Sequence, residues 1–218
     1  MTAIRLWLGV VSVSSFVYGY GGLGAGATFV EFAGLNRMLR EHDSVWGGHD
    51  TFDIRPPLWS FSGHGAAEVG SLTIGGWGAF GFLSYQAEST GTELIAAQAA
   101  FEVGYPYAPV KEFWIRPCLD IGPGTWCHLI HSQEPGRSNH FRWHLGWVLA
   151  AAPGIELAAR LRSAESTYVG VYVKGSYTFP FIPTEWYGDA SPPDFVLKGL
   201  QVQFGLRFGR MAASPFRM

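Results

Sequence analysis

The side chains with the most chemical reach in this chain fall into small groups. His128, His131 and Ser132 lie close together. A histidine near a serine can take the hydroxyl proton and let the oxygen attack an ester carbonyl. That chemistry needs an acidic partner, or the strained G-x-S-x-G elbow, and neither accompanies these residues. They read as polar residues at a strand end. His42, Asp43, His49, Asp50 and Asp53 combine imidazole with carboxylate, a donor set suited to zinc and similar ions. Their spacing follows no metal motif and reads as a solvated loop. Gly21-Gly22-Leu23-Gly24-Ala25-Gly26 lacks the strand-to-helix context and acidic follow-up of a dinucleotide fingerprint. It reads as a small-residue strand. No catalytic residue, cofactor site or metal site is expected, and the chain does not read as an enzyme.

A fourth group is larger and periodic. From Phe141 to Leu161, every second residue is apolar: Phe141, Trp143, Leu145, Trp147, Leu149, Ala151, Pro153, Ile155, Leu157, Ala159 and Leu161. Arg142, His144, Glu156 and Arg160 all fall on the other phase. Successive side chains leave a strand on opposite faces, so this is one long strand. At about 3.3 Å per residue it runs on the order of 65 Å, longer than an ordinary globular strand. The same alternation spans Ile95 to Tyr105, Phe113 to His131, Val169 to Phe179 and Leu200 to Phe208.

Composition agrees. Charged residues are 15% of the 218, aromatics are 16%, and Gly occurs 29 times. Disordered chains are charge-rich and aromatic-poor, and Gly weakens helices. Gly with aromatics suits curved sheets. The net charge of −2 leaves no nucleic-acid footprint. No apolar run of 18 residues exists beyond the N-terminal segment, so spanning by helices is excluded.

Residues 1–19 resemble a secretion signal, with Arg5 before a short apolar run. Residues 20–210 form the barrel domain, and 211–218 a tail. Leu35, Met38 and Leu39 give i, i+3, i+4 spacing and predict one short amphipathic helix. It lies within a long connection ending at Phe61. Gly70-Ser71 predicts a two-residue hairpin turn, and Glu134 to Asn139 a further turn. Leu72 to Gln86 is a strand whose faces stay unassigned. Pro180 to Asp194 reads as a loop. The count is eight antiparallel strands. Splitting at Gly122-Pro123-Gly124 and at Pro153 gives ten, the runner-up. If Phe113 to His131 is continuous, Cys118 and Cys127 lie on opposite faces. If it turns at Gly122-Pro123-Gly124, they could pair. The continuous reading is preferred.

A soluble barrel buries its apolar face, whereas a membrane barrel turns it to lipid. The aromatic content of this face, with Phe141, Trp143, Trp147, Tyr177, Phe204 and Phe208, suits the girdles of a membrane barrel. The interior would then hold Glu102, Arg116, Asp120, Arg142, His144, Glu156, Arg160, Lys174 and Arg207. Buried charges must be paired, so a mutually satisfied polar plug is expected. An anion site built from surplus Arg is the alternative.

Several stretches resemble a group of uncharacterised bacterial outer-membrane β-barrel-like proteins. They are Gly21-Gly22-Leu23-Gly24, Leu35-Asn36 with Met38-Leu39, and Leu72-Thr73-Ile74-Gly75-Gly76-Trp77-Gly78. Gly122-Pro123-Gly124, Pro153-Gly154-Ile155-Glu156, Pro180-Phe181-Ile182-Pro183 before Trp186, and Gly205-Leu206-Arg207-Phe208-Gly209 complete the set. The resemblance implies an exported, all-β, antiparallel up-and-down barrel of the outer membrane or cell surface, and it brings no catalytic residues. The expected role is structural or surface-interacting. Its partners would be the lipid bilayer or identical subunits. A secreted self-assembling structural protein and a small-ligand-binding barrel are the alternatives.

Overall fold

The computed structural model describes residues 19–45, 51–87, 90–110, 112–132, 141–164, 167–188 and 198–210. The signal-like start, His49, Asp50, the Glu134 to Asn139 turn and the 211–218 tail lie outside these residues. The elements in order are β1 (Gly19–Val30), α1 (Ala33–Val45), β2 (Leu58–Val69), β3 (Leu72–Gln86) and β4 (Thr90–Gly104). Then come β5 (Tyr107–Val110), β6 (Phe113–Ser132), β7 (Phe141–Ala164), β8 (Thr167–Gly188) and β9 (Gly199–Arg210).

Eight of the strands form a closed antiparallel barrel. Each pairs with its sequence neighbours, β6 follows β4 round the wall, and β9 pairs with β1 to close it. The short β5 lies beside the start of β6, through Tyr107↔Ile115 and Val110↔Phe113. Gly70 has φ 64°, a left-handed backbone that glycine adopts freely, and it closes the β2–β3 hairpin.

Both long alternating stretches are unbroken. β6 has 20 residues and β7 has 24, so the ten-strand count does not hold. A proline removes one ladder donor. Pro123 falls where the β4–β6 ladder skips from Gln98↔Gly124 to Phe101↔Ile121. Pro153 falls where the β7–β8 ladder skips from Ala151↔Phe179 to Gly154↔Ser176. Cys118 is buried, Cys127 is on the other phase of β6, and both are free thiols. A Cβ on Gly122 would come within 2.0 Å of the Ala99 carbonyl oxygen. Gly122→Ala is expected to destabilise the barrel by about 1–3 kcal/mol, since overpacking here meets backbone. A lowered urea midpoint for unfolding in detergent micelles is the readout.

Two sequence boundaries are corrected. The Pro180 to Asp194 stretch is not a loop throughout, because β8 continues to Gly188. Tyr187 pairs with Leu145 and Gly188 with His144, after register shifts near Leu149 that absorb the prolines. β2 begins at Leu58, which shortens the first long connection.

α1 forms where the apolar spacing predicts a helix. Leu35, Met38 and Leu39 are buried against Leu94, Trp126, Ile130 and Val148 of the barrel wall. Burying each such side chain is worth roughly 1.5–3 kcal/mol. Asn36 fixes the following segment: its Nδ2 donates to the Ile54 carbonyl and the Ile54 N–H donates to its Oδ1, both at 3.0 Å. Phe52 and Ile54 complete the apolar plug. The helix therefore fills one end of the barrel from within.

Candidate functional site

The register decides which interior charges meet. Glu102 stands opposite Asp120, Arg116 opposite Glu156, and Glu156 opposite Lys174. Like charges set directly opposite repel. Here Lys174 Nζ reaches across and donates to Glu102 Oε2 at 2.5 Å and to Asp120 Oδ2 at 2.6 Å. Arg116 donates to Glu102 Oε1 at 2.6 Å and to Glu156 Oε2 at 2.8 Å. Arg207 donates to Glu156 Oε1 at 2.7 Å. The result is one chain, Asp120–Lys174–Glu102–Arg116–Glu156–Arg207, with three acids and three cations. All six are buried. Aromatic rings support it: the Arg207 guanidinium lies 3.4 Å from the Tyr20 ring centre and Lys174 Nζ 5.6 Å from that of Trp77.

The other three residues expected in this network lie elsewhere. Arg160 is at the β1-start end, over Trp114 at 5.0 Å and Tyr168 at 5.6 Å. Arg142 and His144 are at the α1 end. Arg142 Nη1 donates to His42 Nδ1 at 2.8 Å. His144 stacks with His128, ring centres 5.8 Å apart, and lies 6.1 Å from His42. Alternation ran through the whole wall, so it could not separate three levels of one interior.

That α1-end cluster is what sequence reasoning missed. Asp43 accepts from Thr90 Oγ1 at 2.6 Å, which pins the helix to β4. Thr92 Oγ1 donates to the Leu129 carbonyl at 3.1 Å and lies 2.7 Å from His128 Nε2. Its one proton is committed to Leu129, so His128 Nε2–H is the donor to Thr92. His128 shares the phase of Arg116 and Asp120 on β6, a signal that was present. His42 and Asp43 read as part of a solvated loop, but both are buried inside the barrel mouth. Asp53 is exposed and paired with Arg55. Of the three described residues of that set, Asp53 therefore lies apart from His42 and Asp43. His128 is inside the barrel while His131 sits on the opposite phase, so the two cannot attend one substrate.

Burial holds the His42 imidazole below its usual value, and Arg142 beside it acts in the same direction. The unfolded chain then binds a proton that the folded one does not, so stability rises with pH in this range. Lowering the pH through about 6.5 and below should loosen α1. The protection factors of the α1 amides against hydrogen exchange, taken relative to the intrinsic rate at each pH, are expected to fall from pH 7.5 to 5.5 in the native chain and to change less in His42→Gln.

Between the plug and the ion chain is a layer of amides. Trp77 Nε1 donates to Gln203 Oε1 at 2.9 Å, and Gln201 Nε2 donates to Gln98 Oε1 at 3.0 Å. The cavity beside them, lined also by Thr28 and Ser60, has about 30 Å³ of free volume. That holds about two waters. Trp77 could not be placed from sequence because Gly and aromatics occupy both phases of β3. Among the described residues, Glu102, Cys118 and Asp120 bring donor atoms close enough for a metal ion. Lys174 already bridges the two carboxylates, so an ion would have to displace it.

The outer surface is the inverse of this interior. Phe141 is 59% exposed, Trp143 42%, Trp147 37%, Tyr177 37%, Phe204 55% and Phe208 46%. Leu145 is exposed beside them, and His144 is 1% exposed.

A closed eight-stranded antiparallel barrel with a charged, filled interior and an apolar exterior is the class these features define. No family model matches the chain, and no curated protein matches it. Among solved structures it is similar to Ail, the attachment invasion locus protein of Yersinia pestis, at 10% identity and a TM-score of 0.47, over 89% of this chain and 97% of that one. A major outer membrane protein from Thermus thermophilus is similar at 11% identity and a TM-score of 0.41, over 88% and 98%. Neisserial surface protein A is similar at 11% identity and a TM-score of 0.36, over 89% and 96%. The likeness is one of overall architecture.

Proposed function

We propose that this chain is an integral barrel of the bacterial outer membrane with a non-catalytic, structural or surface-contact role. The observation that carries the reading is the outer belt. On β9, Leu200, Val202, Phe204, Leu206 and Phe208 point outward between exposed Lys198 and exposed Arg210. On β4, the outward apolar run from Ile95 to Tyr105 stops at exposed Glu93. Both runs match the 9–11 residues, about 25 Å tall when tilted, that a spanning strand needs. A soluble barrel would leave this belt in water, where contiguous apolar patches drive association.

The filled interior supports a role at the surface over one in transport. A cavity with room for about two waters is far below a ligand pocket of roughly 300 Å³ or more, which disfavours the small-ligand reading. The turn at Gly70-Ser71 and the two-residue connection from Ala164 to Thr167 mark one end, and α1 with its long connection marks the other. Long connections face outward in such barrels, so α1 lies at the cell exterior. The α1 segment and the end of β8 are the surfaces offered there.

The test is fractionation of cells expressing the full chain. The protein should stay with outer membranes through carbonate washing and run faster on gels unheated than boiled. Reconstituted in a planar bilayer it should conduct no measurable current. Recovery in the soluble periplasm would overturn the reading.

A further inference from the structure

Three neighbouring strands are much longer than a spanning strand needs. β6, β7 and β8 have 20, 24 and 22 residues, whereas β1, β2 and β9 have 12 each. At the turn end the strands finish together, with Ala164 opposite Thr167 and Thr167 opposite Arg210. The surplus is therefore at the α1 end. Pairing of β8 with β9 stops at Thr178↔Gly199, but pairing of β8 with β7 continues to His144↔Gly188, and that of β6 with β7 to His131↔Phe141. One side of the barrel thus rises above the belt as a tall wall.

The outer face of this wall is apolar, and its inner face carries apolar side chains beside His128, Arg142 and His144. Its inner face, with Trp126, Ile130 and Val148, is covered by α1. Its outer face carries Phe141, Trp143, Leu145 and Tyr187, exposed by 59%, 42%, 40% and 54%. Glu93, Leu129 and Trp143 lie on one row across β4, β6 and β7. A charge at that height marks the water side of the belt.

We propose that this outer face is the contact surface between two copies of the chain standing side by side in one membrane. The inference rests on the membrane reading above. Within lipid, apolar contact between proteins gains little over contact with lipid tails. Above the belt the same side chains face water, and burying them is favourable. The four exposed side chains offer on the order of 400 Å² per copy, which is small for association in free solution. Two copies in one bilayer already share height and orientation, which removes part of the cost of docking. Their ledges also meet at the same level. The outward positions beside the ledge, Cys127, Leu129 and Trp147, add few hydrogen-bonding groups, so the face suits another apolar face better than a polar ligand.

The experiment uses the full chain in phospholipid vesicles at high lipid excess. Leu145→Cys in a Cys127→Ser background should give a covalent dimer on mild oxidation, at least fivefold above Arg55→Cys in the same background. Arg55 is exposed just before β2, on the far side of the barrel and, like the ledge, in water at the α1 end. Adding Trp143→Glu should cut the Leu145→Cys dimer about tenfold while the unheated gel mobility stays that of folded protein. Equal yields at the two positions, or no dimer at either, would overturn the proposal. So would protection of the position-145 thiol from maleimide that depends on lipopolysaccharide in the vesicles, which would assign the ledge to a saccharide. Protein that fails to float with the vesicles would instead sink the membrane reading, and the dimer with it.

Discussion

Lys174→Met is expected to destabilise the barrel by about 3–5 kcal/mol. Breaking a buried ion pair by removing one partner leaves the other charge uncompensated, and that is the large effect. Lys174 donates to both Glu102 and Asp120, which stand directly opposite each other on β4 and β6. Without the ammonium, Glu102 keeps Arg116, but Asp120 loses its cation inside the barrel. The double variant Lys174→Met with Asp120→Asn removes one charge of each sign and leaves Glu102, Arg116, Glu156 and Arg207 balanced. It should recover most of the loss, because replacing a buried pair by groups of similar volume is often close to neutral. Urea unfolding in micelles, followed by tryptophan fluorescence, measures both. A double variant no more stable than Lys174→Met would show that the chain of ions is not the unit of stability. Arg116→Met should be at least as damaging, since it strips a partner from Glu102 and Glu156 together.

The second large effect is on the outside. Phe204 lies midway between Lys198 and Arg210 on β9 and is 55% exposed. If that exposure is to lipid, Phe204→Arg places a guanidinium at the midplane and should cost about 2–4 kcal/mol. Phe208→Arg, close to Arg210, should cost about 1 kcal/mol or less, because the side chain can reach the interface. The depth dependence is the point of the pair. On a water-facing barrel both substitutions would place an exposed charge in solvent and neither would be costly. Refolding equilibria in phospholipid vesicles read the difference directly, and equal small values would remove the belt from the argument.

The sequence alone determined a good deal. Period-two alternation is a property of one strand, written in one stretch of chain, so it marked β4, β6, β7, β8 and β9 and sorted their side chains into two sets. It placed Arg116, Asp120, Glu156 and Lys174 in one set and Trp143, Phe204 and Phe208 in the other. The i, i+3, i+4 spacing of Leu35, Met38 and Leu39 is local in the same way, and it gave α1. Prolines misled at the margins: Pro180 suggested a loop where β8 continues, because register shifts against β7 accommodate it.

Tertiary structure decided which members of a set touch. Lys174 meets Glu102 across 72 positions of sequence, and Arg207 meets Glu156 across 51. Those meetings depend on the register between strands, and a slip of one residue would move every side chain to the other face. Nothing within a single strand encodes that register. The same holds for the level at which each charge sits, which sends Arg160 to one end, Arg142 and His144 to the other, and the six ions between them. It holds too for the tall wall, since strand lengths are legible in sequence but the end at which the surplus collects is set only when the barrel closes.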